Sequence, residues 1–182
     1  KQLTSYLNKG MDVLKVTSIS VEYMIDEGKS AKDIERFLVA ESQRYMEDID
    51  ENFTGIYGWV KGEYVDGIGW VPDADYVAKE REWYVSAKKG KGEAVIVSPY
   101  VDAQTHTVMI SVSRMLSDGD SVISLDIALN EIQEHTSHLG IYNSGYGFIV
   151  DRSGMVVAHR NIEELGKNYY ENSEMAGLLN AV

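Results

Sequence analysis

Tyr76, Arg81, Trp83, Tyr84, Tyr100, Asp102 and Asp126 carry side chains complementary to both ends of a free α-amino acid. A guanidinium fork gives a carboxylate two parallel charge-assisted hydrogen bonds, about twice as strong as neutral ones, and Arg81 is the candidate for that contact. Trp83 adds an indole N–H and Tyr76 a hydroxyl, both on rings that exclude water. The opposite pole needs acceptors, which Asp102 and Asp126 provide. Two neighbouring carboxylates repel unless a cation lies between them or one is protonated, and an α-ammonium meets that requirement. Tyr84 and Tyr100 would close the sides by ring contact or cation–π attraction. Arg81 with two aspartates leaves one negative charge, so a second amine on the ligand is permitted and not required.

Taken singly, each of these residues has an ordinary use. Arg81 could pair with Glu80 or Glu82, and Trp83 could be packing. Asp102 could start the turn DAQTH, Asp126 could cap the helix after SLD, and Tyr100 could be a strand-end aromatic following Pro99. The conjunction is what points to a pocket.

The elements that must position these residues are legible in part. Leu3, Leu7, Leu14, Val21 and Ile25 recur near helical spacing, which predicts a long amphipathic helix ending at Glu27-Gly28-Lys29. Ser30 stands as the N-cap of a second helix, with Ile34, Phe37, Leu38, Tyr45 and Ile49 as its stripe. From Thr54 the runs GIYGWVKG and EYVDGIGWV read as a hairpin. A polar helix or loop-helix covers about 75–89. If Tyr76 to Tyr84 were regular helix, Tyr76 and Trp83 would be nearly aligned, and one wall could carry Tyr76, Arg81, Trp83 and Tyr84. GEAVIVSPYVD, HTVMISVSRML and DSVISLDIA read as three antiparallel strands, with SDGD as a tight turn. A helix follows over about 129–139, then a second hairpin in YGFIVDRSGMVVAHR and a last helical piece near 172–181. Helices first, then a curled antiparallel sheet and the start of another, is an α+β pattern.

The chain has 182 residues and a net charge of -12. That length suits one sizeable core or a main lobe with a satellite. The charge argues against nucleic acid and anionic membrane surfaces, which are met with clustered lysine and arginine. The absence of cysteine excludes disulfides, thiolate catalysis and cysteine-ligated zinc. Twelve tyrosines against three phenylalanines fit half-wet aromatic walls. No stretch approaches the roughly 20 apolar residues of a membrane span. The start at Lys1 and the stop at Val182 read as a piece of a longer protein.

The stretch YVAKEREWY, followed by YVD and then SLD, resembles the ligand-binding signature of double Cache sensor domains, the extracytoplasmic part of bacterial transmembrane receptors. The resemblance extends over nearly the whole chain, with YGFIVDRSGMVVAHRNIEELGKNY similar to the opening of the family's second lobe. It implies a long N-terminal helix followed by PAS-like antiparallel-sheet lobes. These divide into a helical region at 1–50, a membrane-distal ligand-binding lobe at 51–140 and the start of a membrane-proximal lobe at 141–182. In the amino-acid-binding subgroup it implies that Tyr76, Arg81 and Trp83 receive the carboxylate, while Tyr100, Asp102 and Asp126 receive the ammonium. It also implies flanking transmembrane helices, a cytoplasmic output module and a homodimer through the first helix, with no cofactor and no nucleic-acid partner.

Rival readings remain at this level. Asp102 and Asp126 could act as an acid and base pair of the glycosidase kind. His135 and His138, at i and i+3, are the nearest thing to metal spacing but lack carboxylate ligands, and His159 reads as a turn or packing residue. The first helix could serve an interaction module with no small ligand, and a γ-amino acid or an amine could replace the α-amino acid. Arg81 disfavours a plain amine, which has no carboxylate to offer it. Candidate selectors of the ligand side chain lie between Ile56 and Trp70.

Overall fold

The computed structural model describes residues 2–101, 107–138, 140–141 and 145–179. They form two compact units, one of residues 1–98 with 110–127 and the other of 99–109 with 128–182.

The first unit opens with α1 (Gln2–Asp26). Its inward face is small: Leu7, Gly10, Leu14, Thr17, Ser18 and Val21 are buried. Gly10 allows close approach, because a Cβ there would stand 2.4 Å from Ile127 Cδ1. The buried hydroxyls are satisfied within the helix, Thr17 donating to the Val13 carbonyl and Ser18 to that of Leu14. Thr17 Oγ1 also lies 2.7 Å from the hydroxyl of Tyr45. α2 (Ala31–Arg44) begins at the expected Ser30, which with Asp33 forms a reciprocal capping box, and it runs into a π-helical turn over Tyr45–Ile49.

Five strands build the unit's antiparallel sheet: β1 (Phe53–Val60), β2 (Glu63–Asp66), β3 (Val95–Ile96), β5 (Val108–Met115) and β6 (Val122–Ala128), in the order β2-β1-β6-β5-β3. Lys61 and Gly62, both at positive φ, turn the expected β1–β2 hairpin. On β6, Ile123, Leu125 and Ile127 are fully buried on the face toward α1, and Val122, Ser124 and Asp126 alternate onto the other. The register pairs Gly55 with Asp126, Tyr57 with Ser124 and Trp59 with Val122, which aligns these side chains on that second face.

Over about 75–89, where a helix or a loop-helix is expected, the segment takes the second form and not a regular helix. Ala78–Glu80 is a single 3-10 turn, Arg81 is extended, and α3 (Glu82–Gly90) starts only after it. The reason is packing: Ala78 and Trp83 belong to one buried cluster with Tyr84, Ala87, Val97 and Val122. In a continuous helix residues five apart point about 140° from each other, so both could not face the sheet. GEAVIVSPYVD is also two pieces instead of one strand. β3 ends before Pro99, which has no N–H for a ladder, and β4 (Tyr100–Val101) follows it.

In the second unit, β4 pairs with Val108 and Met109. α4 (Asn130–Ser137) follows Leu129, with no side-chain cap, so Asp126 does not cap it. The short strands β7 (Gly140–Ile141) and β8 (Gly145–Tyr146) pair with each other. β9 (Phe148–Val150) and β10 (Val156–His159) form the second expected hairpin. Its DRSG turn is held by Asp151 Oδ1, which accepts from the Ser153 and Met155 amides, with Gly154 at φ +88°. The Gln133 amide clamps the β10 backbone, giving to the His159 carbonyl and receiving its N–H. α5 (Ser173–Leu179) ends the described chain. Among the described residues no helix is long and apolar enough to cross a membrane.

Candidate functional site

The second face of the first unit's sheet is apolar at one end and polar at the other. Val122, Ala87 and Val97 fill the apolar end, where Trp83 and Tyr84 pack upon them. Along β5 and β6 the polar end carries Ser111, Ser113, Ser124 and Asp126, all four buried or half-buried. Ser113 and Ser124 hydrogen-bond each other. Ser111 donates to Asp126 Oδ1 at 2.6 Å, and the Tyr57 hydroxyl donates to the same oxygen at 2.9 Å. Hydrogen bonds to an ionised group contribute about 1.5–3 kcal/mol each, so two hydroxyls from two neighbouring strands hold this carboxylate in one place.

Against the apolar cluster stands a wall of edge-on aromatic rings, of which Tyr57 reaches the polar end through its hydroxyl. Tyr57 meets Trp83 at 5.3 Å between centroids, Tyr64 meets Tyr76 at 5.5 Å, and Trp70 meets both Tyr64 at 5.7 Å and Tyr76 at 5.2 Å. All four contacts are T-shaped, the geometry favoured by ring quadrupoles. The Trp83 indole N–H donates to the Tyr76 hydroxyl oxygen at 3.1 Å. The Arg81 guanidinium lies over the Tyr76 ring, 4.4 Å from its centroid. Arg81 forms no ion pair with Glu80 or Glu82 among the described residues, whose salt bridges lie elsewhere.

Electrostatics link the two ends of this arrangement. Burial pushes the Tyr76 hydroxyl above its ordinary value; the Trp83 N–H and the Arg81 charge oppose that rise, and the Asp126 charge adds to it. Tyr76 is therefore within electrostatic reach of a cation and an anion. Burial is also the main reason that Tyr64 is pushed far above the tyrosine range, followed by the charge and hydrogen bond of Asp66. Both phenols stay neutral donors at physiological pH. Since the Tyr76 oxygen already receives the Trp83 N–H, its own proton is left for an outside acceptor.

The structure thus gathers Tyr76, Arg81, Trp83 and Asp126 around one face. It turns Tyr84 another way: the ring packs edge-on against Trp83 and the hydroxyl donates to the carbonyl and carboxylate of Asp120, each at 3.0 Å. Tyr100 belongs to the second unit, where it pairs with Met109. Asp102 lies outside the described residues. Sequence reasoning missed Ser111, and it held Tyr57, Tyr64 and Trp70 only inside or at the edge of the unranked selector stretch from Ile56 to Trp70. A signal existed for two of them: in GIYGWV and MISVS, polar side chains alternate into strands that are otherwise apolar, which marks a buried face with something polar to hold.

The sequence of residues 1–180 matches the family model described as Cache domain (dCache_1). The chain is 28% identical over 160 residues to methyl-accepting chemotaxis protein McpB of Bacillus subtilis (strain 168), covering 87% of this chain and 24% of that protein. It spans about a quarter of the length of that curated relative. Among solved structures, the ligand-binding domain of Mlp24 with asparagine superposes with a TM-score of 0.74 at 22% identity, over 93% of this chain and 69% of the other. The ligand-binding domain of Pseudomonas aeruginosa PAO1 amino-acid chemoreceptor PctC, in complex with GABA, gives a TM-score of 0.72 at 19% identity, over 93% and 74%. At these identities the likeness is one of fold.

Proposed function

The chain belongs to the Cache domain family, whose members are sensor domains and not enzymes, and from that premise we propose that it binds a free L-amino acid on the extracytoplasmic side of a transmembrane chemoreceptor. In this reading Arg81 and the Tyr76 hydroxyl receive the carboxylate and Asp126 receives the ammonium. Trp83 acts through Tyr76, whose oxygen it occupies. The observation that carries the reading is that Trp83 bonds to Tyr76, whose ring carries Arg81, and packs edge-on against Tyr57, whose hydroxyl holds Asp126, so a cation and an anion flank one aromatic wall. A zwitterion has the matching pair of charges.

Tyr100 and Asp102 are proposed as further ammonium partners on the sequence resemblance alone, and Tyr84 as a supporting wall behind Trp83. A γ-amino acid keeps both charges and is the second reading, favoured by the GABA-bound structure noted above. The division into a ligand-binding lobe at 51–140 and the start of a second at 141–182 is part of the same proposal. So are the flanking transmembrane helices, the cytoplasmic output module and a homodimer, which would use Val16, Ile19 and Tyr23 exposed along α1.

Calorimetric titration of ligand-stripped protein with each standard L-amino acid and with GABA tests the reading. Saturable binding that Arg81→Ala and Asp126→Ala both weaken at least tenfold supports it. Folded protein that binds none of them, or binding indifferent to both substitutions, rejects it.

A further inference from the structure

We propose that Ile68 and Trp70, held in place by Asp66, select a ligand whose side chain is apolar. This rests on the amino-acid reading above and adds the class of side chain to it.

Asp66 is 5% exposed and stands beside the aromatic wall, bonded to its Tyr64. Its Oδ1 accepts the backbone N–H of Ile68 at 2.8 Å and of Trp70 at 3.0 Å, while Oδ2 accepts the Tyr64 hydroxyl at 2.9 Å. The carboxylate is therefore committed to its own chain. It works as a clamp on residues 68–70, and a positioning role follows for it in place of a ligand contact.

The clamp decides what borders the two charged poles. Gly55 pairs with Asp126 in the β1–β6 register, and the space above it is filled by Ile68, whose Cγ2 would lie 2.6 Å from a Cβ at Gly55. Directly paired residues in antiparallel strands lie about 5 Å apart, so the Ile68 methyl borders the ammonium pole. Trp70 packs edge-on against Tyr76, the ring that carries Arg81, and so borders the carboxylate pole. One flank of the site is thus isoleucine at one end and indole at the other. Ile68 is 62% exposed and Trp70 44%, so this apolar surface is open to be covered by a ligand. A leucine or phenylalanine side chain would cover it. An acidic side chain would meet the fields of Asp66 and Asp126, and a basic one would lose hydration against hydrocarbon beside a carboxylate already holding three donors.

The test is a calorimetric panel of alanine, leucine, phenylalanine, aspartate and lysine on wild-type protein and on Ile68→Ser and Trp70→Ala. Both positions are exposed, and circular dichroism checks that the variants remain folded. Full burial of a large apolar side chain is worth roughly ten- to a hundredfold in affinity, so leucine or phenylalanine should bind at least tenfold tighter than alanine and aspartate. Each substitution should remove at least fivefold of that advantage, weakening leucine or phenylalanine at least fivefold more than alanine. Aspartate or lysine binding as tightly as leucine overturns the proposal, as does an equal loss for alanine and leucine in the variants. If amino acids bind through Arg81 without an apolar preference, only the side-chain selection fails. If no amino acid binds, both readings fall.

Discussion

The indole N–H of Trp83 donates to the Tyr76 hydroxyl oxygen at 3.1 Å, and the Tyr76 ring carries the Arg81 guanidinium on its face. The three residues thus act as one unit in which Trp83 orients the hydroxyl and Arg81 brings the charge. Trp83→Phe keeps most of the packing and removes the N–H, so amino-acid affinity is expected to fall about tenfold, roughly the worth of one hydrogen bond. Tyr76→Phe should cost a similar factor. In a double-mutant cycle the combined variant should lose less than the product of the two, and full additivity would show that the residues act independently.

Arg81 is exposed and unpaired with Glu80 or Glu82 among the described residues, so its removal should spare the fold. Arg81→Ala is expected to shift unfolding by less than about 0.5 kcal/mol while lowering affinity ten- to a hundredfold. Arg81→Lys should recover only part of the loss, since an ammonium offers no planar fork. Titration and urea unfolding on the same preparations separate the two effects.

The hydroxyls of Ser111 and Tyr57 both donate to Asp126. Ser111→Ala removes the shorter of the two bonds, 2.6 Å, from a residue with almost no solvent access. The expected cost is about 1–3 kcal/mol in urea unfolding, because the carboxylate loses a buried partner. Affinity should fall as well, since the carboxylate is then less firmly placed. Tyr57→Phe, which removes the longer bond from a half-buried residue, should cost less on both measures.

Gly67 is where α2 meets the hairpin. A Cβ there would stand 2.2 Å from Ser42 Oγ, 2.6 Å from the Ile56 carbonyl and 2.9 Å from that of Leu38. Two of those three atoms are backbone and cannot swing away. Gly67→Ala is therefore expected to destabilise by about 1–3 kcal/mol through overpacking. At Gly62, where nothing lies within 4 Å and φ is +83°, alanine should cost only about 1 kcal/mol for the left-handed backbone. Paired urea melts of the two variants check the ranking.

Tyr45 joins α1 to the π-helical turn after α2 through Thr17. Burial pushes its hydroxyl up to about 12, above the ordinary tyrosine value of 10.0. With the folded value above the unfolded one, the stabilising contribution is complete below about pH 10. It is lost as pH rises from 10 toward 12, because the unfolded chain ionises first. Unfolding free energy should fall over that interval, and Tyr45→Phe should flatten the fall while costing about 1 kcal/mol at pH 8 for the lost bond to Thr17. Denaturation series at pH 8 and pH 11 on both proteins measure this.

Much of the fold is local and was readable for that reason. The N-cap at Ser30, the hairpin turned at Lys61-Gly62 and the DRSG turn each involve neighbours a few residues apart. A loop-helix was readable there but the place of the break, at Arg81, was not, because it answers to the sheet on which Ala78 and Trp83 both pack and not to their own neighbours.

The same division runs through the site. By itself the sequence determined the kinds of charge and ring available and their placement within short segments, since residue type and near-neighbour spacing carry that information. Tertiary structure decided that Trp83 gives its N–H to Tyr76, that Tyr84 turns to the Asp120 turn, and that Tyr57 and Ser111 hold Asp126. Tyr57 and Asp126 are 69 residues apart and meet because β1 and β6 share one register, with an irregularity between Phe53 and Gly55. A slip of one residue would turn Tyr57 to the opposite face of the sheet. That register is set by the packing of the whole core, so no short stretch of the chain contains it.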